Sequence, residues 1–466
     1  MGSIKSTKYE PLSASPVKSF FFTMLTRDIP LEDAILDLLD NCVDGILRSG
    51  ECSGPKPYQG YWAAISFNAD SFEISDNCGG IPWSLHDYAF RMGRAADHPP
   101  IAPGSVGAYG IGMKRAIFKM GKQCLISSQN GSDQYEVEIS PEWLLNESNW
   151  NLNVTRAKNS MKEDGTIIVV GDLNPGITEQ FGQAAQSFTA TLQEKISTQY
   201  SYIIDKGFII KINGSPVESR AVQIVFDKTD APSIRPYIFK TTVDDVDVFL
   251  AVGFTRGLPS ENEIADEQEG THRSSEEAGW TILCNDRAVL FCDRTEQTGW
   301  GDANVPRYHT QFIAIAGIVE FRSKDAKNLP TTTTKRGIDA SSPLYLQVKN
   351  KMREGMKIFT DYTNKWKGRE DESNQQIRKG AHLSLIQMKT ETKKLPFTTL
   401  VKSFPPGFQY KPKLPFPEQL APTKRRISFV REISKIRVVG EYFENPDMPP
   451  SEVGARCFDT IYEEAR

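Results

Sequence analysis

Several common chemistries lack their residues in this 466-residue chain. Histidine occurs only five times and is scattered, so each is read as structural or surface. Seven cysteines (Cys42, Cys52, Cys78, Cys124, Cys284, Cys292 and Cys457) include no Cys-x-x-Cys pair. Neither a zinc knuckle nor a disulfide framework is indicated. No apolar run reaches the roughly eighteen residues of a membrane-crossing helix, and Phe20-Phe21-Phe22 is too brief to span. The N-terminus shows no signal-peptide pattern, so a cytoplasmic protein without membrane contact is expected, with the nucleus left open. Charge of one sign is missing as well. The net charge is −4, and the whole molecule is no obvious polyanion binder. Internal repeats are absent. The length allows two or three domains with sizeable cores.

What is present begins with an acidic helix. From Pro30 to about Arg48, apolar residues recur as Leu31, Ala34/Ile35, Leu38/Leu39, Cys42/Val43 and Ile46, a 3.6-residue period. Pro30 suits the first turn, and Glu32 and Asp33 complement the positive end of the helix dipole. The opposite stripe carries Asp33, Asp37, Asp40/Asn41 and Asp44. Such a stripe is most often a solvated face. Here a neutral amide stands beside carboxylates, a hard-ligand set suited to Mg²⁺.

Two strands are expected at Tyr61–Phe67 and Ser71–Ser75, the second ending in Asp76-Asn77-Cys78-Gly79-Gly80. By itself this motif also fits an ordinary Asn-Gly-type turn after a strand. Farther on, Gly104-Ser-Val-Gly107-Ala-Tyr-Gly110-Ile-Gly112-Met-Lys114-Arg115 runs into a helical stretch. Glycines admit close backbone approach, a helix start offers free N–H groups, and Lys114 and Arg115 add positive charge, so the loop suits a triphosphate. A dinucleotide-binding loop would need a strand directly before the glycines, and a P-loop would need Gly-Lys-Ser/Thr. Both fail. Asp164-Gly165-Thr166 then leads into the apolar strand Ile167–Val170.

In this order the motifs resemble the GHKL ATPases: gyrase-type topoisomerases, MutL, heat-shock 90 chaperones, histidine kinases and MORC proteins. The MORC-like ATPases are nearest in detail, through Gly-x-Tyr-Gly-x-Gly-x-Lys and Gly279-Trp-Thr-Ile-Leu-Cys-Asn-Asp-Arg287. The resemblance implies an α+β chain. An N-terminal arm (1–29) would precede a Bergerat-type α/β sandwich (30–185) with a mobile lid near 83–106, and a smaller transducer-like α/β domain (186–366) would follow. It implies ATP and Mg²⁺ as ligands, with Asp76 on the adenine amino group, supported by the Thr166 hydroxyl, and Gly80 passing close to the base. Asn41 would hold Mg²⁺. Asp44, Gly107, Gly110, Gly112 and Lys114 would complete the nucleotide site. Asp37 would orient and deprotonate the attacking water, and Lys335 would reach back to the γ-phosphate. It also implies an ATP-dependent homodimer to which the arm contributes. The family carries Glu where this chain has Asp37. The shorter side chain withdraws the carboxylate by roughly 1.5 Å, and a misplacement near 1 Å costs about a hundredfold in rate. Slow turnover is therefore expected, with a non-hydrolysing ATP-gated scaffold as the alternative. A histidine-kinase role is set aside, because no His precedes the acidic helix.

Beyond residue 180, a helix is expected over Phe188–Ile204 and a hairpin around Asn213-Gly214. Strands follow at Val243–Gly253, Gly279–Val289 and Gln311–Phe321, then a helix from Leu344 to Trp366, with an exposed acidic loop over Glu261–Glu277. Residues 373–437 hold 14 Lys/Arg against three acids, Glu391, Glu418 and Glu432. Residues 367–433 read as a basic, Pro-containing linker, or as a contact for DNA or an acidic protein. Residues 434–466 read as a small helical tail.

Overall fold

The computed structural model describes residues 17–50, 54–94, 99–100, 102–107, 110–156, 161–268, 277–332, 334–402, 404–418 and 430–465. The chain divides into two units, Met1–Phe416 and Pro417–Arg466. The larger is a mixed α+β body built on two sheets.

The first sheet has the strand order β5-β4-β3-β6-β2-β1-β7-β8. Its strands are β1 (Trp62–Phe67), β2 (Phe72–Asp76), β3 (Gly121–Asn130), β4 (Asp133–Ile139), β5 (Val154–Arg156), β6 (Gly165–Leu173), β7 (Ile209–Ile212) and β8 (Ser215–Pro216). All neighbours are antiparallel except β1 and β7. Four helices share its core: α1 (Lys18–Arg27), α2 (Leu31–Ser49), α3 (Gly112–Met120) and α4 (Ala185–Gln199). Helix α2 starts after Pro30, held extended, and stops at Gly50, which takes the left-handed φ of +75°. Its apolar stripe Ala34, Ile35, Leu38, Leu39, Val43 and Ile46 is buried, and each large aliphatic contributes about 1.5–3 kcal/mol. Asn213-Gly214 forms the hairpin turn with both φ positive, the geometry that suits Asn-Gly.

The second sheet has the order β13-β12-β14-β11-β10-β17-β16. It comprises β10 (Tyr237–Val243), β11 (Val246–Phe254), β12 (Gly279–Cys284), β13 (Arg287–Asp293), β14 (Ile315–Ser323), β16 (Thr398–Leu400) and β17 (Gly407–Tyr410), beside the ribbon of β9 (Ile224–Phe226) and β15 (Ala381–Leu383). Helix α5 (Pro343–Lys365) covers one face through Val348, Met352, Met356 and Phe359. The ribbon and helix α6 (Leu385–Glu391) supply Phe226, Leu383, Leu385 and Met388 to the other.

Four expectations change. The segment 367–433 is no linker over its first part: Glu370–Ile377 is helical, and β15, α6, β16 and β17 complete the second sheet and its cover. Pro396, Pro405 and Pro406, among the prolines that suggested a linker, fall between these elements. Gly279–Val289 is two strands, because Asn285 and Asp286 both adopt positive φ and turn the chain. Glu261–Gln268 is a helix where a loop was expected; residues 269–276 lie outside the described ones. Helix α1 packs on its own body. Phe22 is buried, with its ring 3.9 Å from that of Phe118 and 5.8 Å from that of Trp150. Lys18 Nζ donates to the carbonyls of Asn146 (3.1 Å) and Asn149 (2.7 Å) and lies 3.4 Å from the Trp143 ring centroid.

The smaller unit contains two helices, α7 (Ile433–Tyr442) and α8 (Pro450–Glu464). Among the described residues, no helix is long and apolar enough to cross a membrane.

Candidate functional site

A cavity of about 910 Å³ opens beside α2. It is lined by Asp37, Asn41, Asp44, Asp76, Gly80, Gly107, Gly110, Gly112, Lys114, Thr166 and Lys335. All eleven residues that the sequence nominates therefore meet in one place, drawn from α2, the end of β2, the 83–112 segment, β6 and a loop of the second half.

Asp76 closes β2 opposite Thr166 on β6. Its carboxylate accepts from the Cys78 backbone N–H (2.8 Å) and from the Cys42 thiol (3.5 Å). The backbone of Thr166, the residue whose hydroxyl is expected to support this carboxylate, adds a further bond. Burial pushes the Asp76 carboxyl up to about 6. Beyond it the chain must squeeze past β3: a Cβ on Gly80, whose φ is +63°, would come within 1.9 Å of the Gln129 carbonyl oxygen. Cys78 takes no left-handed φ, since Gly79 and Gly80 supply both such positions.

The glycine-rich loop is held from α2. Asp44 accepts from the N–H groups of Val106 (2.7 Å) and Gly107 (2.8 Å). A Cβ on Gly107 would lie 2.5 Å from the Asp44 Oδ2, so any side chain there would force the loop off the carboxylate. Arg94 donates through Nη2 to the Gly107 carbonyl (2.8 Å), while its buried Nε and Nη1 have no partner. Lys114 donates to the Ala89 carbonyl (2.8 Å). Burial, reinforced by Arg94, brings its ammonium down to about 7.

The acids of α2 differ sharply in company. Asp37 pairs with Arg115, whose Nε stands 3.1 Å away and whose Nη2 is closer still; burial raises its carboxyl above the ordinary range. Asp44 is raised by burial too. Asp40, three residues from Asp37, accepts from the Tyr200 hydroxyl (2.6 Å), Arg287 (3.1 Å) and Lys335 (2.7 Å). Burial would raise it, but Lys335 and Arg287 outweigh that and hold it below the ordinary value. Lys335 thus reaches the cavity wall from a loop where its own φ is +57°. Arg336 pairs with Asp33 (3.0 Å) beside it. The 102–107 loop is tied to the second sheet as well: Gly104 N–H donates to the Lys324 carbonyl (3.3 Å), and Asn285 Nδ2 to that of Ser105 (3.3 Å).

Sequence reasoning missed Arg94, Arg48 and the partners of Asp40. Arg48 donates to the Gly80 carbonyl (2.6 Å). An arginine on a helix or a loop carries no local mark of such a contact. Arg115 was noted only as positive charge; its pairing with Asp37 brings together two helices 78 residues apart in the chain.

Chemically, the cavity presents the carboxylates Asp37, Asp44 and Asp76, the apolar side chains Ile74, Ile81 and Ile168, and the cations Arg48, Arg94, Lys114, Arg115 and Lys335. Asn41 is exposed and faces the cavity. Among the described residues, no group of three or more His, Cys, Asp or Glu could hold a metal ion, so a cation here would take few protein ligands and complete its shell from the bound anion and water, as Mg²⁺ does. In comparisons with known proteins, no family model and no curated protein matches this chain.

Proposed function

We propose that this chain binds Mg-ATP in a GHKL (Bergerat-type) pocket, hydrolyses it slowly, and couples occupancy to lid closure and dimerisation. The observation that carries this reading is the convergence of all eleven nominated residues on one cavity. The adenine amino group donates to Asp76, which acts as a fixed acceptor. The phosphates lie among the glycine loop, Lys114 and Lys335. Asn41 would hold Mg²⁺, which when bound would neutralise phosphate charge. Asp37 positions and deprotonates the attacking water, for which it must exchange Arg115 for that water. Lys335 stabilises the charge that develops on the phosphoryl oxygens and in doing so leaves Asp40.

A second reading has its own support. The Asp37–Arg115 pair, together with the shorter Asp side chain, favours a scaffold that closes on ATP and does not turn it over. Phosphate release under single-turnover conditions separates the two: a burst supports the ATPase, and its complete absence with ATP bound supports the scaffold.

Dimerisation is tested by sedimentation with and without a non-hydrolysable ATP analogue. The N-terminal contribution is narrower than expected, since Lys18 and Phe22 are committed to their own body. Val17, Phe20 and Met24 are described apolar arm residues that face outward.

A further inference from the structure

The second sheet ends in a hairpin whose surface differs from the rest of the molecule. Residues 393–413 carry five lysines (Lys393, Lys394, Lys402, Lys411, Lys413) and no Asp or Glu, in a chain whose net charge is −4. Lys411 pairs with Glu354, and Lys394 lies near Glu391. Among the described residues, Lys393, Lys402 and Lys413 form no ion pair. Apolar side chains stand out beside them: Val401 is 79% exposed, Phe404 75% and Phe408 53%.

Register fixes the face of Phe408, and Val401, Lys402 and Phe404 belong to the connection of the same hairpin. Phe408 on β17 lies opposite Lys240 on β10 and opposite Thr399 on the edge strand β16, and directly paired residues project to the same face. Lys240 Nζ donates to Thr392 Oγ1 (3.2 Å) and lies 4.4 Å from the Phe397 ring centroid. Burial and the like charges of Lys389, itself paired with Glu320, and Lys393 lower its ammonium below the ordinary lysine value.

We infer that this hairpin surface binds single-stranded nucleic acid, with Phe408 and Phe404 stacking on unpaired bases and Lys393, Lys402 and Lys413 following the phosphates. Exposed rings beside cations are what sequence-tolerant strand binding uses, and rings reach bases only where those are unpaired. The backbone groups on the open side of β16 and the exposed Thr398 and Thr399 hydroxyls suit phosphate and sugar. The same groups argue against insertion in a membrane, where unpaired backbone of an edge strand is strongly disfavoured. This inference is independent of the ATP pocket.

The test is fluorescence anisotropy on the full chain with labelled oligo-dT and oligo-U of about twenty nucleotides and a duplex of equal length, at about 50 and about 200 mM salt. Single strands should bind at least tenfold more tightly than duplex, and preference between the two sugars identifies the kind of strand. Phe408→Ala and Phe404→Ala should each weaken binding about tenfold, with melting temperature unchanged. Lys402→Glu should flatten the salt dependence. Absence of binding at low salt, equal binding to duplex, or phenylalanine variants that bind like wild type would each overturn the assignment. So would flotation with phosphatidylserine vesicles in the absence of oligonucleotide binding.

Discussion

Asp40 and Asp76 are both buried carboxylates within reach of α2, yet their surroundings push them in opposite directions. Asp40 accepts from two cations and a phenol and is held below the ordinary carboxylate range. Asp76 is hydrogen-bonded, among the described residues, by backbone N–H groups and a thiol, with the Arg48 charge nearby, and burial lifts it to about 6. Asp37 and Asp44, on the cavity side of the same helix, go the same way as Asp76. The difference separates an acid whose ion pairs outweigh its burial from acids for which burial prevails, Asp37 included despite its Arg115 partner. On the proposed reading, it is the raised carboxyls of the cavity that are expected to serve function.

The largest effect should come from the ion-paired acid. Asp40→Ala leaves Lys335 and Arg287 buried without their common partner and should destabilise the fold by about 3–5 kcal/mol, read by chemical denaturation. A loss under about 1 kcal/mol would break the comparison, since it would mean the trio behaves as a surface pair.

The raised acids should respond with the opposite sign. The Asp76 carboxyl titrates near 6 in the folded chain, above its ordinary 3.8, so the folded state prefers the protonated form. Stability that is present at acid pH is therefore lost as pH rises from about 4 through 6, and roughly two units at 1.36 kcal/mol each amount to about 3 kcal/mol. Asp76→Asn lacks this titration and should be more stable than wild type at pH 7.5, by up to about 3 kcal/mol, with the difference vanishing near pH 4. Equal stability at both pH values would contradict the assigned shift.

Asp37 sharpens the comparison by function. Asp37→Ala should abolish hydrolysis while ATP affinity stays nearly unchanged, because a water-positioning group acts mainly in the transition state. Asp37→Glu should speed turnover by restoring reach, up to about a hundredfold. Hydrolysis at the wild-type rate in Asp37→Ala would move the role to another residue. Asp40, the next acid along the helix, is a poor substitute, being fully engaged by its partners.

A smaller effect follows from the two titrating groups of the cavity together. Protonation of Asp76 removes the acceptor for an amino-bearing base, so affinity should fall as pH drops below about 6. Lys114, near 7 in the free protein, is charged only below that value, so affinity for a triphosphate should also fall as pH rises above about 7. Titrated by calorimetry, ATP affinity should peak between these values and decline by no more than about tenfold per pH unit on either side. A flat profile from pH 5.5 to 8.5 would leave at least one group outside the ligand's reach.

Much of the site was legible because its parts obey local rules. The period of α2 places Asp37, Asn41 and Asp44 on one stripe, the Asp76 turn ends a strand, and the glycines precede a helix; none of these depends on distant chain. The start of α2 was legible for the same reason, through Pro30. What stayed hidden is long-range pairing. Arg287 meets Asp40 across 247 positions, and nothing at either residue signals the other. The strands at 398–410 were hidden differently: they are short and flanked by prolines, so their turn chemistry masked elements whose strand character comes from docking on β10.

The central claim is that this cavity holds Mg-ATP by the base at Asp76 and by the metal at Asn41. Isothermal calorimetry of ATP with Mg²⁺ against the wild type, Asp76→Asn and Asn41→Ala tests it most directly. Wild type should bind, Asp76→Asn should lose affinity for ATP and adenosine alike, and Asn41→Ala should lose affinity for Mg-ATP while its response to adenosine is unchanged. ATP binding of equal strength in all three proteins, or no binding by the wild type, would contradict the account.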